Sequence, residues 1–221
     1  METLADHLQS VQNHIPSSVQ LVAVTKTRPV EKLEEAYSLG LRDFGENRVQ
    51  ELIEKQPQLP ADVRWHLIGH LQTNKVKYIA SFVHLIHSVD SLKLLIEINR
   101  QAIRNKRVIH CLLQVYIAKE ESKFGMDENE IIELLNSDEF ASLKNIAIRG
   151  LMGMATFTEN EMVVRAEFAS LKSFFENLKT SYFADNNMFN LISMGMTSDY
   201  PIAIEEGSNM VRIGTALFGE R

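Results

Sequence analysis

Eight short β-rich runs recur along this 221-residue chain, separated by segments with helical periodicity. They are "LVAVTK" (21–26), "LRDFGEN" (41–47), "WHLIG" (65–69), "HLIHSVD" (84–90), "VIHCLLQVYI" (108–117), "IAIRGLMGMA" (146–155), "MFNLISMGM" (188–196) and "MVRIGTALFG" (210–219). Strands joined through helices run parallel, which permits an open doubly wound sheet or a closed barrel. No Gly-rich dinucleotide loop follows any of the runs. The count of eight, and a length near the ~250 residues common for such folds, favour a (β/α)8 TIM barrel. A helix over residues 2–13 is expected ahead of the first strand. No Gly-, Ser- or Pro-rich linker interrupts the pattern, so residues 1–221 read as one domain.

The intervening segments carry helix signals. Pro29 sits where a first helical turn begins, and Gly40 follows "EKLEEAYSL" as a stop. Asp90 and Ser91 precede a stretch whose Leu92, Leu95, Ile96 and Ile103 fall near one face. Phe168, Leu171, Phe174, Phe175 and Leu178 form a second stripe, expected to pack in the core.

A formal charge of −6 argues against broad attraction to nucleic acid or an anionic membrane, while a local basic pocket stays open. Cys111 is the single cysteine, so no intrachain disulfide can form, as suits a reducing compartment. The start, "METLADHLQS", is unlike a signal peptide, and no apolar run approaches the ~20 residues of a membrane span. A cytoplasmic protein is expected.

In a (β/α)8 barrel the active site lies at the C-terminal ends of the strands. Lys26 closes the first run, on the same strand face as Val22 and Val24. If that face is inward, the amine enters the barrel mouth, where burial favours the neutral form that attacks a carbonyl. A surface lysine leading into the loop is the competing reading. At the other end of the chain, "SMGMTSD" and "IGT" place Ser193, Gly195, Gly214 and Thr215 after the seventh and eighth strands. Hydroxyls and approachable backbone N–H groups there match the phosphate loops of such barrels. A closed barrel brings the first and eighth strands side by side, and the combination suggests a phosphate-bearing aldehyde as ligand.

The blocks "AVTKTRP", "DFGENRVQE", "WHLIGHLQTNK", "IHSVD", "SKFG", "RGLMGM" and "SMGMTSDYPIAIEEGSNMVRIGTALFG" occur in this order from about residue 21 to 219. In them the chain resembles the pyridoxal phosphate homeostasis proteins, small single-domain relatives of the alanine racemase barrel. The resemblance implies pyridoxal 5'-phosphate held as an internal aldimine on Lys26. It also implies phosphate contacts from Ser193, Gly214 and Thr215, with Arg212 facing the pyridine nitrogen and Asn47 beside the cofactor. Arg212 shares strand parity with Gly214, and a permanently charged guanidinium cannot accept a proton from the ring. An unprotonated ring is a poorer electron sink than a pyridinium, so the site suits holding the cofactor better than stabilising a carbanion.

Other candidates carry less. His66 and His70 have helical metal-pair spacing, but on a strand and turn they would stand roughly 13 Å apart. His84 and His87 would face opposite sides of a strand, and His70 would line the mouth. Lys75 in "QTNK" is the rival amine, and Cys111 reads as a small core residue. The expectation is a non-catalytic carrier in intracellular vitamin B6 homeostasis, with apo-enzymes or amino acids as partners and a monomer as the simplest state. The alternatives are a racemase or decarboxylase of the same fold type, or a cofactor-free Schiff-base aldolase. Against the racemase stands the end at "LFGER", soon after the eighth strand, without a β domain or a second base.

Overall fold

Parallel pairing carries the chain once around and closes it. In the computed structural model, which describes residues 2–118 and 124–220, eight strands form a closed barrel in sequence order. They are β1 (Gln20–Val24), β2 (Asp43–Glu46), β3 (Arg64–Leu67), β4 (Leu85–Val89), β5 (Ile109–Gln114), β6 (Ile146–Met152), β7 (Leu191–Ser193) and β8 (Met210–Ile213). The seam joins β1 to β8, with Val22 opposite Arg212 and Ala23 opposite Ile213. All eight expected strands form, but several end early. β1 stops at Val24, two residues short of Lys26. β7 stops at Ser193 because Gly195 turns the chain at φ +94°, a conformation glycine adopts without steric cost. A Cβ there would lie 2.6 Å from that of Ala203. β8 gives way after Ile213 to a short helix, Thr215–Phe218.

Helix boundaries follow from caps. Thr3 forms a capping box with Asp6 at the start of the helix Leu4–Asn13. Pro29 is the extended residue just ahead of the helix Val30–Ser38, one position earlier than expected. Ser91 caps the helix Leu92–Arg104 by accepting from the Leu94 N–H. Its buried face is Leu94, Leu95, Ile98 and Ala102, whereas Ile96 and Ile103 are exposed. The expected stripe was rotated: it passed over Leu94 and Ile98, and the helix carries more apolar residues than its buried face holds. The aromatic stripe of the helix Glu161–Ser181 is buried as expected, from Phe168 to Leu178. Each of those large side chains contributes about 1.5–3 kcal/mol of burial free energy.

Strand alternation sorts side chains into two layers. Ala23, Phe44, Trp65, Ile86 and Val211 face outward into the shell of helices. Val22, Leu85, Leu112, Met152 and Met210 fill the barrel interior. Cys111 is fully buried and its thiol is pushed well above the usual range by burial, which makes it an inert core residue. Among the described residues, no helix is long and apolar enough to cross a membrane.

Candidate functional site

A cleft of about 550 Å³ opens at the C-terminal ends of the strands. That volume is within the roughly 300–1,000 Å³ usual for small-molecule and cofactor sites. Lys26, Asn47, Arg212, Gly214 and Thr215 all line it, so five residues singled out in the sequence converge. Ile68, Phe124, Met154 and Met196 supply apolar walls able to cover an aromatic ring. Asn47 follows β2 directly and touches the backbone after β3: a Cβ on Gly69 would lie 2.4 Å from the Asn47 carbonyl oxygen. Only glycine permits that approach.

Lys26 reaches the cleft from a turn. The Arg28 N–H donates to the Thr25 carbonyl at 3.0 Å, which encloses Lys26 and Thr27 in a β-turn. Strand parity is therefore not what aims the amine, although Val24, on the inward face, also lines the cleft.

Arg212 lies deeper, level with Val22, and is 3% exposed. Its Nη1 donates to the Ser193 hydroxyl at 2.6 Å and carbonyl at 2.7 Å, and its Nη2 donates to the Gly153 carbonyl at 3.1 Å. Three of five N–H donors are thus committed, leaving Nε and one Nη2 hydrogen for a ligand acceptor. Burial lowers its pKa to about 10, which still leaves the group charged at neutral pH.

Beneath Arg212 a polar chain threads the barrel interior. The Ser193 hydroxyl lies 3.0 Å from His87 Nδ1, and His87 Nε2 lies 2.9 Å from His66 Nδ1. His66 Nε2 is 2.9 Å from Asp43 Oδ1, and Arg64 also donates to the Asp43 carboxylate. With both rings uncharged, one proton arrangement satisfies every link: Arg212 to Ser193, Ser193 to His87, His87 to His66, His66 to Asp43. Burial first, and then the nearby Arg212 charge, hold the His87 pKa well below its ordinary value. Burial alone would raise the Asp43 pKa, but hydrogen bonds from Arg64 and His66, with the Arg64 charge, hold it well below the usual carboxylate range.

This arrangement corrects the reading of Ser193 as a phosphate ligand. Its side chain is fully buried in the barrel, and its hydroxyl is taken up by Arg212 and His87. Thr197 and Ser198, not among the expected ligands, line the cleft instead. The signal was present, because both follow Gly195 directly in "SMGMTSD". The Thr197 hydroxyl lies 3.4 Å from the Gly214 N and 3.5 Å from the Ala216 N, so the loops after β7 and β8 meet there. Gly195 shapes this end through its backbone, accepting from the Arg212 N–H at 3.0 Å.

His70 lines the mouth as expected and pairs with Asp90 at 3.0 Å. Lys75 lies outside the cleft lining, 5.8 Å from the ring of Tyr78. His84 and His87 do not separate: both rings approach His66, at 5.3 and 5.2 Å between centroids. β4 begins only at Leu85, so strand alternation does not govern His84. No cluster of His, Cys, Asp and Glu able to hold a metal exists among the described residues. Ser122 and Lys123 of "SKFG" lie outside the described residues.

The closed barrel and its polar-floored mouth define a (β/α)8 protein with a small-molecule site at the C-terminal ends of its strands. The chain belongs to the family described as alanine racemase, N-terminal domain, matched over residues 1–221. It is 42% identical to a pyridoxal phosphate homeostasis protein of Aquifex aeolicus, over 91% of this chain and 87% of that one. The structure of PipY from Synechococcus elongatus PCC7942 with PLP bound is 39% identical, with a TM-score of 0.88, covering 98% of this chain and all (100%) of that one. An alanine racemase of Clostridium difficile, 16% identical, shares the fold with a TM-score of 0.80 across 99% of this chain and 56% of its own.

Proposed function

We propose that this chain binds pyridoxal 5'-phosphate in the cleft, links it to the Lys26 amine as an imine, and serves vitamin B6 homeostasis without appreciable turnover of amino acids. The observation that carries the reading is the meeting of Lys26 at the rim with a buried, charged Arg212 in one apolar-walled cleft. Hydroxyls of Thr197, Ser198 and Thr215, with the closely approachable backbone at Gly214, suit a phosphate. Asn47 stands in the same wall. The relative crystallised with PLP, and the name carried by the curated relatives, support this assignment.

When bound, the cofactor supplies an electrophilic aldehyde on an electron-withdrawing ring. Lys26 provides the only kind of amine able to join that aldehyde reversibly. Arg212 can only donate, so a ring nitrogen facing it remains an acceptor and the ring a weak electron sink. Racemisation additionally needs a base on each face of the substrate. The role favoured is therefore a carrier, working as a cytoplasmic monomer and passing cofactor to apo-enzymes. L- and D-alanine in deuterium oxide provide the test. Negligible α-proton exchange, together with transfer of cofactor to an apo-enzyme, is expected. Rapid exchange that disappears in Lys26→Ala protein would instead establish catalysis.

A further inference from the structure

Behind the Lys26 turn, between the barrel wall and the helix Val49–Lys55, lies a cluster of buried charge that the cleft does not use. Glu46, at the end of β2, is fully buried, and Lys55 is 7% exposed. The Lys55 ammonium donates to Glu46 Oε1 at 2.7 Å, to the Thr25 carbonyl at 2.9 Å and to Glu51 Oε2 at 3.1 Å. The Thr25 hydroxyl donates to Glu46 Oε1 at 2.7 Å, and the Thr27 N–H donates to Glu51 Oε2 at 2.6 Å. Both residues flanking Lys26 are therefore fastened to this cluster.

The fastening opposes strain. Thr27 has φ +62° and, with Lys106, is one of two non-glycine residues with positive φ among the described residues. A β-branched residue is poorly suited to that conformation, and the third position of such a turn normally takes glycine or asparagine. The strained turn persists because its surroundings hold it. The holding device is itself costly. Glu46 Oε2 has no partner among the described residues, and a buried ion pair of this kind rarely stabilises more than apolar packing would. Retained charge and backbone strain thus coincide at the two residues that border the lysine.

We infer that Glu46, Lys55 and Glu51 are positioning residues that hold the Thr25–Arg28 turn in its strained form and so aim the Lys26 amine into the cleft. The inference rests on the proposed role of Lys26. Removing the two buried charges together with Glu46→Met/Lys55→Met leaves only the partly exposed Glu51 ionised, and no fully buried ion unpaired. That protein is expected to unfold at or above the wild-type temperature, yet to bind pyridoxal 5'-phosphate at least roughly tenfold more weakly and to be trapped by borohydride more slowly. In cofactor-free protein the Thr27 amide should exchange with solvent faster. Adding Thr27→Gly, which relieves the strain without the clamp, should recover part of the affinity. Wild-type affinity and trapping rate in the double variant would overturn the inference, as would an affinity loss accompanied by an equal fall in stability and no recovery with Thr27→Gly. If the double variant fails to fold, Glu51→Ala removes the Thr27 acceptor and the outer Lys55 contact while keeping the Glu46–Lys55 pair, and unchanged affinity there would have the same force. Failure of wild-type protein to form any adduct on Lys26 would count against the proposed function and not against the clamp.

Discussion

Lys26→Ala protein is expected to lose borohydride-stable attachment of pyridoxal 5'-phosphate entirely. Alanine has no amine with which to form the imine, and Lys75, the rival, lies outside the cleft lining. The fold should be untouched. Lys26 stands in a turn beyond β1, outside the packed barrel layers. Stability within about 0.5 kcal/mol of wild type is therefore expected, as for other substitutions away from the core. Residual cofactor should still bind through Arg212, Thr215 and the neighbouring hydroxyls, and should wash out on gel filtration. Full retention of a covalent adduct in this variant would move the attachment site elsewhere.

Asp43→Ala should produce the largest loss of stability among the polar residues of the barrel interior. The carboxylate terminates the chain through His66, His87 and Ser193, and it also accepts from Arg64 and Gln20. Its removal leaves the fully buried His66 Nε2 without its acceptor. Arg64 is half exposed and can rehydrate, so a cost of about 3 kcal/mol, at the lower end for a broken buried pair, is expected at pH 7. The pH dependence has a definite sign. Because the folded-state pKa of Asp43 is depressed, its contribution is fully present above the unfolded value of roughly 3.9 and is lost as pH falls through the folded value. Urea unfolding of wild type and variant should therefore show a gap at pH 7 that narrows below about pH 4. A gap independent of pH would show that the carboxylate charge is not what stabilises the interior.

The sequence revealed the order of elements well and their ends poorly. β-rich runs separated by helical patterns located all eight strands, most of them the nearly continuous apolar stretches that parallel strands buried on both faces require, with the charged β2 (DFGE) the exception. Where pairing stops depends on backbone turns: nothing local marked β1 as ending at Val24, and Gly195, which ends β7, looked like an approachable backbone rather than a stop. Position nonetheless brought Lys26, Asn47, Arg212, Gly214 and Thr215 to one cleft, since loops after successive strands share one face of a barrel. Ser193 was misread for a related reason. Its partner His87 is 106 residues distant, and only closure of the barrel brings the two hydrogen-bonding groups together. The same holds for the clamp on the lysine turn, where Thr25 meets Glu46 and Lys55 across separate elements.

Reduction of wild-type protein loaded with pyridoxal 5'-phosphate, followed by peptide mapping, locates the lysine that carries the cofactor. Freshly loaded protein should absorb visible light, lose that absorbance on borohydride treatment, and yield one modified peptide with the cofactor on Lys26. An adduct on Lys75 or another lysine, or binding with no reducible linkage at all, would rule out Lys26 as the anchor.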